Sequence, residues 1–162
     1  MAERPEVQAP YPGLRPFERH EAEIFFGREQ HVDRLLEILQ REHFLAVIGP
    51  SGSGKSSLVR AGLLPALAAG WLGTGSNWRM AVLHPGDRPH RNLALALLEP
   101  TVLGPALASG DDESSDVALI HAELNRGPLG LVHLVGDAVQ SGRVAETTQL
   151  LVLVDQFEEI FR

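Results

Sequence analysis

The stretch Gly49-Pro50-Ser51-Gly52-Ser53-Gly54-Lys55-Ser56-Ser57 decides the fold of this chain. It matches the pattern G-x-x-x-x-G-K-[ST] of a phosphate-binding loop, with Gly49, Gly54, Lys55 and Ser56 at the fixed positions. The backbone N–H groups of such a loop point at a triphosphate, and only a loop with little side-chain bulk brings them close enough. The nine residues therefore predict a nucleotide site in which Gly52 and Gly54 leave room for the phosphates.

Two side chains of this loop carry the chemistry that the backbone cannot supply. Lys55 is expected to place its ammonium near the β- and γ-phosphates, where it contributes to binding and to catalysis. The Ser56 hydroxyl is positioned for a Mg²⁺ ion that contacts the same phosphate oxygens. The expected ligands are therefore a nucleotide and Mg²⁺.

The residues on either side of the loop give it the context that the motif requires. Phe44-Leu45-Ala46-Val47-Ile48 is a short apolar run, typical of a strand buried on both faces, and residues 56–64 have the pattern of a helix. Pro65 is expected to kink or end that helix near Leu64, because proline removes a backbone donor. The order strand, loop, helix favours a nucleotide site over the alternative, a flexible Gly/Ser linker.

Composition places the chain among globular proteins and excludes several kinds of function. It has 162 residues, of which 44% are hydrophobic and 22% charged, and its net charge of −7 disfavours a nucleic-acid surface. A local basic patch of Arg88, His90 and Arg91 is not expected to change this. The absence of cysteine excludes disulfides and thiolate chemistry. No apolar run approaches the length of a membrane span, so a cytoplasmic location without membrane contact is the expectation.

The N-terminal part of the chain is predicted to be an extended leader, residues 1–23, followed by a helix. Four breakers among the first 13 residues disfavour regular structure, and the leader is expected either to dock through Tyr11, Leu14 and Phe17 or to be loose. The helix after Gly27 has an apolar stripe that is expected to pack on the sheet. The stripe consists of Val32, Leu35, Leu36 and Leu39.

The middle of the chain alternates strand and helix signals. A second strand is predicted over residues 78–84 and a short helix over 92–99, stopped by Pro100. Residues 104–116 read as a polar acidic loop whose carboxylates lack the spacing of a calcium loop. Two further helices are predicted over 117–125 and 129–140. This alternation indicates an α/β fold.

Asp155 is predicted to be the Mg²⁺-side carboxylate. The five apolar residues 150–154 before it are typical of a buried parallel strand, with Asp155 at its carboxyl end. Open α/β sheets gather their ligand-binding groups at the carboxyl ends of neighbouring strands. Asp155 is therefore expected to act on the metal from just outside its coordination shell or through a bridging water, while Ser56 contacts it.

Glu158 and Glu159 are both candidates for the residue that orients the attacking water. Hydrolysis of a γ-phosphate needs a positioned water more than covalent chemistry, and a carboxylate just beyond the metal site would serve. The alternative for both residues is a favourable charge pair in the first turn of a helix. From the residues alone the choice between the two stays open.

Five motifs in order resemble those of the novel STAND family of P-loop NTPases, which is often fused to WD repeats, and together they cover nearly the whole chain. Two stand before the loop and two after the helix that follows it. They are Pro12-Gly13-Leu14-Arg15-Pro16-Phe17, Phe25-Phe26-Gly27-Arg28-Glu29, Gly49 to Leu63, Pro85-Gly86-Asp87-Arg88-Pro89 and Val154-Asp155-Gln156-Phe157-Glu158-Glu159.

The resemblance implies an ATP-dependent switch between a closed ADP form and an open, often oligomeric, ATP form. It implies that Phe26, Gly27 and Arg28 lie near the adenine or ribose, and it slightly favours Glu158 as the water-orienting residue. Protein partners or self-assembly are implied through regions that follow residue 162.

The family fold is a three-layer αβα sandwich with a mostly parallel sheet of the additional-strand class. The resemblance implies that residues 24–162 form the N-terminal part of this domain, without its later strands, its sensor residue and its lid. Two alternatives remain: a truncated module that binds nucleotide or protein without catalysis, and a small P-loop kinase. The scarcity of arginines between Arg91 and Arg162 argues against the kinase.

Overall fold

The computed structural model describes residues 13, 15–73, 77–105 and 113–161, apart from the side chain of Glu113. Over these residues the chain forms two compact units, which divide between residues 76 and 77. Each unit is described by itself. Tyr11 and Leu14, predicted to dock the leader, lie outside the described residues.

All the regular secondary structure described in the first unit is helical. A 3₁₀ helix over Arg19–Ile24 lies within the segment predicted to be an extended leader, so that prediction is wrong for these residues. The elements of the unit are the 3₁₀ helix Arg19–Ile24, α1 Glu29–Glu42, α2 Lys55–Ser57, a π-helix Leu58–Leu63 and α3 Leu64–Ala68.

The apolar stripe of α1 is confirmed, since Leu36 and Leu39 are buried. Within the first unit the helix packs against the π-helix, and a Cβ atom added at Gly62 would lie only 2.6 Å from Cγ2 of Val32. Glycine at position 62 therefore allows the two helices to approach closely.

The helix after the phosphate loop does not end near Leu64 but changes its geometry there and continues past Pro65. The chain changes from π- to α-geometry at Leu64, where the Leu64 N–H bonds to the carbonyl of Val59, five residues back. Pro65 thereby falls in the first turn of α3, where proline is tolerated because its missing N–H would have no partner within that helix. The helical segment runs on to Ala68.

Residues 44–48 do not form the predicted strand among the described residues. Leu45 and Val47 are half-buried, whereas Phe44 is 75% and Ile48 91% exposed. A strand requires a neighbour that pairs with its N–H and C=O groups, and no described segment pairs with this one. The prediction of a strand buried on both faces is therefore wrong for this structure.

The second unit contains a parallel two-stranded sheet with helices packed against it. Its elements are β1 Trp78–Leu83, α4 Pro89–Leu98, α5 Glu113–Asn125, α6 Gly130–Gln140, β2 Gln149–Val154 and a 3₁₀ helix Phe157–Phe161. The two strands pair in register from Trp78 with Gln149 to Leu83 with Val154. Both predicted strands of this unit are thus confirmed, and their parallel pairing confirms the α/β fold class.

The core of this unit lies between the sheet and the helices. Ala81 of β1 and Leu97 of α4 are fully buried, together with Ala138 of α6. β2 is only half-buried along its length, because β1 is its single described neighbour. With two described strands, the full three-layer sandwich stays a prediction.

Residues 113–116, predicted to belong to an acidic loop, form the first turn of α5 instead. Asp116 on that turn is 5% exposed. In the described ranges, no helix combines the length and the apolar character that a bilayer span requires.

Candidate nucleotide site

The phosphate loop has the backbone shape that its glycines were expected to permit. Gly52 and Gly54 have φ angles of 75° and 82°, in the left-handed region that other residues rarely adopt. At Gly49 an added Cβ atom would stand 3.1 Å from the Ser53 hydroxyl oxygen. The glycines at 52 and 54 are therefore required by their backbone conformation, since a Cβ atom added at either would meet nothing within 4 Å. The sequence pattern alone does not give this reason.

Lys55, the only lysine of the chain, is folded back onto the loop. Its Nζ donates hydrogen bonds to the carbonyl oxygens of Gly49 and Pro50, at 2.9 and 3.0 Å. An ammonium has three N–H donors, so these two bonds leave one for another acceptor. A phosphate at the loop would compete with the two carbonyls for the same donors.

The four serines of the loop have different surroundings. Ser51 and Ser53 are exposed, and Ser56 is half-buried on the second residue of α2. The Ser57 hydroxyl oxygen accepts a hydrogen bond from the backbone N–H of Phe17, with the two atoms 3.1 Å apart. Ser57 thus joins the helix after the loop to the segment that precedes the first 3₁₀ helix.

One ion pair strengthens this attachment, and a second lies within the attached segment. Glu18 pairs with Arg60 of the π-helix at 2.7 Å. Arg15 bonds both carboxylate oxygens of Glu21 at 2.6 Å, and these bonds are the main reason that the pKa of Glu21 falls from 4.5 to about 2. Arg15 and Arg60 lie within two of the quoted motifs, but their pairing with Glu21 and Glu18 was not predicted, because carboxylates and arginines at such separations are common on any surface.

Phe17 docks as predicted. Its ring centroid lies 5.5 Å from that of Phe25, with the two planes tilted by 59°. Such a tilted pair is a favourable aromatic arrangement. The segment from residue 15 to residue 24 is therefore attached to the rest of the first unit through rings, ion pairs and the Ser57 hydroxyl.

The corner Phe26-Gly27-Arg28 is held by Glu29. Gly27 has a φ angle of 80°, and its N–H donates to Oε1 of Glu29 at 2.9 Å. The pKa of Glu29 is lowered by a hydrogen bond to its own backbone N–H and by this bond from Gly27. Phe26 is 76% exposed, so its ring is accessible.

A cavity of about 320 Å³ adjoins this corner. Arg28, Phe25 and Trp71 line it, together with residues of α1, the π-helix and α3. None of the nine loop residues contributes to its wall. Phe25 and Trp71 were not among the predicted site residues; Phe25 belongs to the same motif as Phe26, whereas no sequence signal singled out Trp71.

Asp155 stands at the carboxyl end of β2, as predicted. Its N–H donates to the carbonyl of Leu83, which extends the strand pairing by one residue, and its Oδ1 accepts from the N–H of Gln156 at 3.1 Å. Gln156 has a φ angle of 55°, unusual for a residue other than glycine. The chain therefore turns sharply directly after the predicted metal ligand.

Glu158 and Glu159 lie on the 3₁₀ helix after this turn and differ in their surroundings. Glu159 is half-buried, and its Oε2 accepts a hydrogen bond from the N–H of Gly86 at 3.1 Å. The same turn is held by the Asn92 side chain, which donates to the carbonyls of His84 and Pro85. Glu158 is exposed, and no hydrogen bond from its side chain is seen among the described residues.

The predicted metal ligands suit Mg²⁺ by their chemistry. Mg²⁺ prefers oxygen ligands and commonly takes one or two protein groups together with phosphate oxygens and waters. Ser56 offers a hydroxyl in the first unit, and Asp155 offers a carboxylate in the second. Within the described parts of the chain no three acidic or histidine side chains cluster as a self-sufficient metal site.

A family model described as Novel STAND NTPase 1 matches residues 10–162 of the chain. Comparison with curated proteins and with solved structures gave no match. The matched region includes the phosphate loop, the corner at Phe26, Asp155 and both glutamates.

Proposed function

Because the chain belongs to the Novel STAND NTPase 1 family, we propose that it binds ATP or ADP with Mg²⁺ at residues 49–57 and works as a nucleotide-dependent switch. The family membership itself indicates a nucleotide-binding module of the NTPase type. The proposal adds the residues, the metal, ATP hydrolysis and the switching role.

The observation that carries the proposal is the arrangement at the start of α2. The loop has left-handed glycines at 52 and 54, and the Lys55 ammonium lies against the loop carbonyls, 2.9 and 3.0 Å away. A phosphate would attract this ammonium and accept from backbone N–H groups of the loop. A Gly/Ser linker would give no reason for a cation to be held there.

In the proposed site, different residues bind the phosphates, hold Mg²⁺ and contact the nucleoside. Lys55 and the loop N–H groups bind the phosphates, and Ser56 and Asp155 hold Mg²⁺, which supplies charge neutralisation at the phosphate oxygens. Phe26, Gly27 and Arg28 are proposed to contact the adenine or ribose. Pro50, Ser51, Ser53 and Ser57 shape the loop.

We assign the water-orienting role to Glu158 and a positioning role to Glu159. Glu159 already binds the N–H of Gly86, so one of its oxygens is engaged in holding the turn after β1. Glu158 lies one residue earlier on the same 3₁₀ helix and is exposed. A carboxylate that orients water must be within reach of a water molecule in the bound state, which an exposed side chain permits.

The switching role is supported by the attachment of the phosphate-loop helix to residues 17 and 18. Ser57 directly follows the proposed metal ligand Ser56 and holds the Phe17 N–H, and Arg60 one turn later holds Glu18. A shift of this helix on binding or losing the γ-phosphate would be transmitted to the attached segment. Differential contacts of ATP and ADP with the loop are what a two-state switch requires.

A thermal-shift titration with Mg·ATP and Mg·ADP tests the proposal. A ligand that binds only the folded state stabilises it by about 2.7 kcal/mol at a hundredfold excess over its Kd. We expect stabilisation by both nucleotides in the presence of Mg²⁺ and none in Lys55→Ala. The matched control is Arg34→Ala, which removes a cation from an exposed ion pair on α1. Equal stabilisation of Lys55→Ala and the unaltered protein would overturn the assignment of the loop.

A further inference from the structure

The second unit contains a cavity of about 790 Å³ between α4 and α5. This volume is within the range of pockets that bind small organic ligands. The residues that line it come from α4, from the residue before α4 and from α5. They are Arg88, Pro89, His90, Arg91, Leu95, Ser114, Val117, Ala118 and His121.

The lining has one sign of charge in a chain of the opposite sign. Two of the described lining residues are arginines and two are histidines, and no aspartate or glutamate is found among them. The net charge of the chain is −7. A wall that presents two arginines attracts anions.

The two arginines are available for a ligand. Neither the Arg88 nor the Arg91 guanidinium has a hydrogen-bond or ion-pair partner among the described residues. Most arginines elsewhere are engaged: Arg34, Arg41 and Arg126, for example, each pair with a glutamate. Both free guanidiniums also stand at the start of α4, where the helix dipole favours negative charge.

The imidazole side of the cavity is held in place by Asn125. Nδ1 of His90 lies 2.9 Å from Oδ1 of Asn125, and the Asn125 amide nitrogen donates to the His121 carbonyl at 2.8 Å. Because that nitrogen faces His121, the amide oxygen accepts from Nδ1 of His90. The two rings stand 6.3 Å apart between centroids, at 60° to each other.

Apart from Ser114, the remaining described wall is apolar. Leu95 of α4 and Val117 and Ala118 of α5 line it, and Val117 is 8% exposed. A bare inorganic ion would leave this surface in contact with water. A ligand with an apolar body beside its charge would cover it, with a gain proportional to the apolar area removed from water.

From these features we propose that the cavity between α4 and α5 binds a small organic phosphate, with the phosphate between Arg88 and Arg91 and an apolar body against Leu95 and Ala118. Two fixed cations match the charge of a phosphate monoester, which is close to −2 at neutral pH. Guanidinium groups also present paired donors that fit phosphate oxygens. None of the lining residues belongs to the phosphate loop or to the Asp155 segment, so this site is independent of the proposed function.

Phenyl phosphate is the probe for this site, used with the Lys55→Ala protein so that the phosphate loop is weakened. Two-dimensional ¹⁵N NMR that includes arginine Nε–H signals shows where the probe binds. We expect shifts at the Arg88 and Arg91 side chains and in residues 117–121. Inorganic phosphate should bind more weakly than phenyl phosphate, and phenol should not bind detectably. Shifts confined to residues 49–57 would overturn the proposal.

Charge-removing and space-filling variants complete the test. Arg88→Gln and Arg91→Gln should each weaken phenyl phosphate binding about tenfold or more, as expected for loss of a charge-assisted bond. Ala118→Leu should weaken it without changing charge, because leucine occupies part of the cavity. Arg126→Gln, whose partner is Glu123, is the matched control and should bind within about twofold of the parent. Unchanged binding in both arginine variants, with amide spectra showing that they are folded, would contradict the proposal.

Discussion

The carboxylate of Glu159 accepts a hydrogen bond from the backbone N–H of Gly86, 73 residues earlier, with Oε2 and N 3.1 Å apart. This bond joins the 3₁₀ helix after β2 to the turn after β1. It supports the sheet at the edge where Asp155 lies, because both strands end there. Glu159 and its neighbour Glu158 thus have different surroundings, and their roles can be separated by experiment.

Replacing each glutamate by glutamine should separate catalysis from positioning. Glu158→Gln should lower ATP turnover about 100-fold or more, as for loss of a carboxylate that orients water, while nucleotide affinity stays within about twofold. Glu159→Gln keeps an oxygen that accepts from Gly86 and should retain most turnover. Phosphate release and nucleotide titration measure the two properties. The opposite result, with turnover lost only in Glu159→Gln, would reverse the two roles.

Truncating Glu159 should affect stability instead. Glu159→Ala removes the acceptor of the Gly86 N–H and should lower the free energy of unfolding of the second unit by about 1 kcal/mol, the usual net value of one hydrogen bond. Hydrogen exchange of the Gly86 amide reports on this bond directly. Glu158→Ala is the control and should leave that amide unchanged. Equal exchange in both variants would show that the bond is not formed in solution.

Two glycines on α6 test the close contact between α5 and α6, because an added methyl group would clash at only one of them. A Cβ atom at Gly130 would lie 2.3 Å from the backbone carbonyl oxygen of Glu123, which cannot move without shifting α5. Gly130→Ala should therefore destabilise the protein by about 1–3 kcal/mol or more. At Gly136 on the same helix an added Cβ meets nothing within 4 Å, so Gly136→Ala should be neutral or stabilising by up to about 1 kcal/mol.

Urea unfolding followed by circular dichroism compares the two glycine variants. The two changes in the free energy of unfolding should have opposite signs, or at least differ clearly, although the substitutions are identical and lie on one helix. If Gly130→Ala were as stable as Gly136→Ala, the close approach of α6 to residue 123 would be wrong.

The ion pair of Arg15 with Glu21 should make stability depend on acid pH. The hydrogen bonds from Arg15, together with one from the Glu18 N–H, lower the pKa of Glu21 from 4.5 in the unfolded chain to about 2 in the folded one. The folded state then binds the proton less readily, so the pair stabilises the fold above pH 4.5 and loses its effect as the pH falls from 4.5 towards 2. Stability should thus decline across this window.

Carboxyl ¹³C NMR of Glu21 measures this pKa directly, and Arg15→Gln should raise it towards 4.5. Arg34→Gln, in an exposed pair with Glu37, is the matched control and should leave the pKa of Glu21 unchanged. A pKa of Glu21 near 4.5 in the unaltered protein would contradict the geometry.

The sequence predicts local features such as an apolar run before an acid. It does not predict strand formation or burial where these depend on pairing with other segments. The strand before Asp155 was predicted because an apolar run that ends in an acid is informative by itself. Its burial was overestimated, because burial depends on the strands beside it. The segment from Phe44 to Ile48 failed for the same reason, since an apolar run becomes a strand only when another segment pairs with it.

Side-chain partners were the least predictable part of the candidate site. The motif identified Lys55 and Ser56, but not that Ser57 holds the Phe17 N–H or that Glu159 holds Gly86. These bonds join residues 40 and 73 positions apart. Such contacts depend on how the chain folds back, which residue types do not specify. The cavity at Arg88 could not be predicted either, because its two arginines and two histidines come from separate segments, one at α4 and one in α5.

The most direct test of nucleotide binding uses the fact that Lys55 is the only lysine. Amine-specific reductive methylation can modify only its Nζ and the N-terminal amine, and mass spectrometry measures both in one sample. Mg·ATP at saturating concentration should slow Lys55 methylation about tenfold or more while the N-terminal amine reacts at the same rate. The same slowing by Mg·ATP and Mg·ADP, but not by adenosine, would place the phosphates at the loop. Equal rates with and without nucleotide would contradict the claim that residues 49–57 bind it.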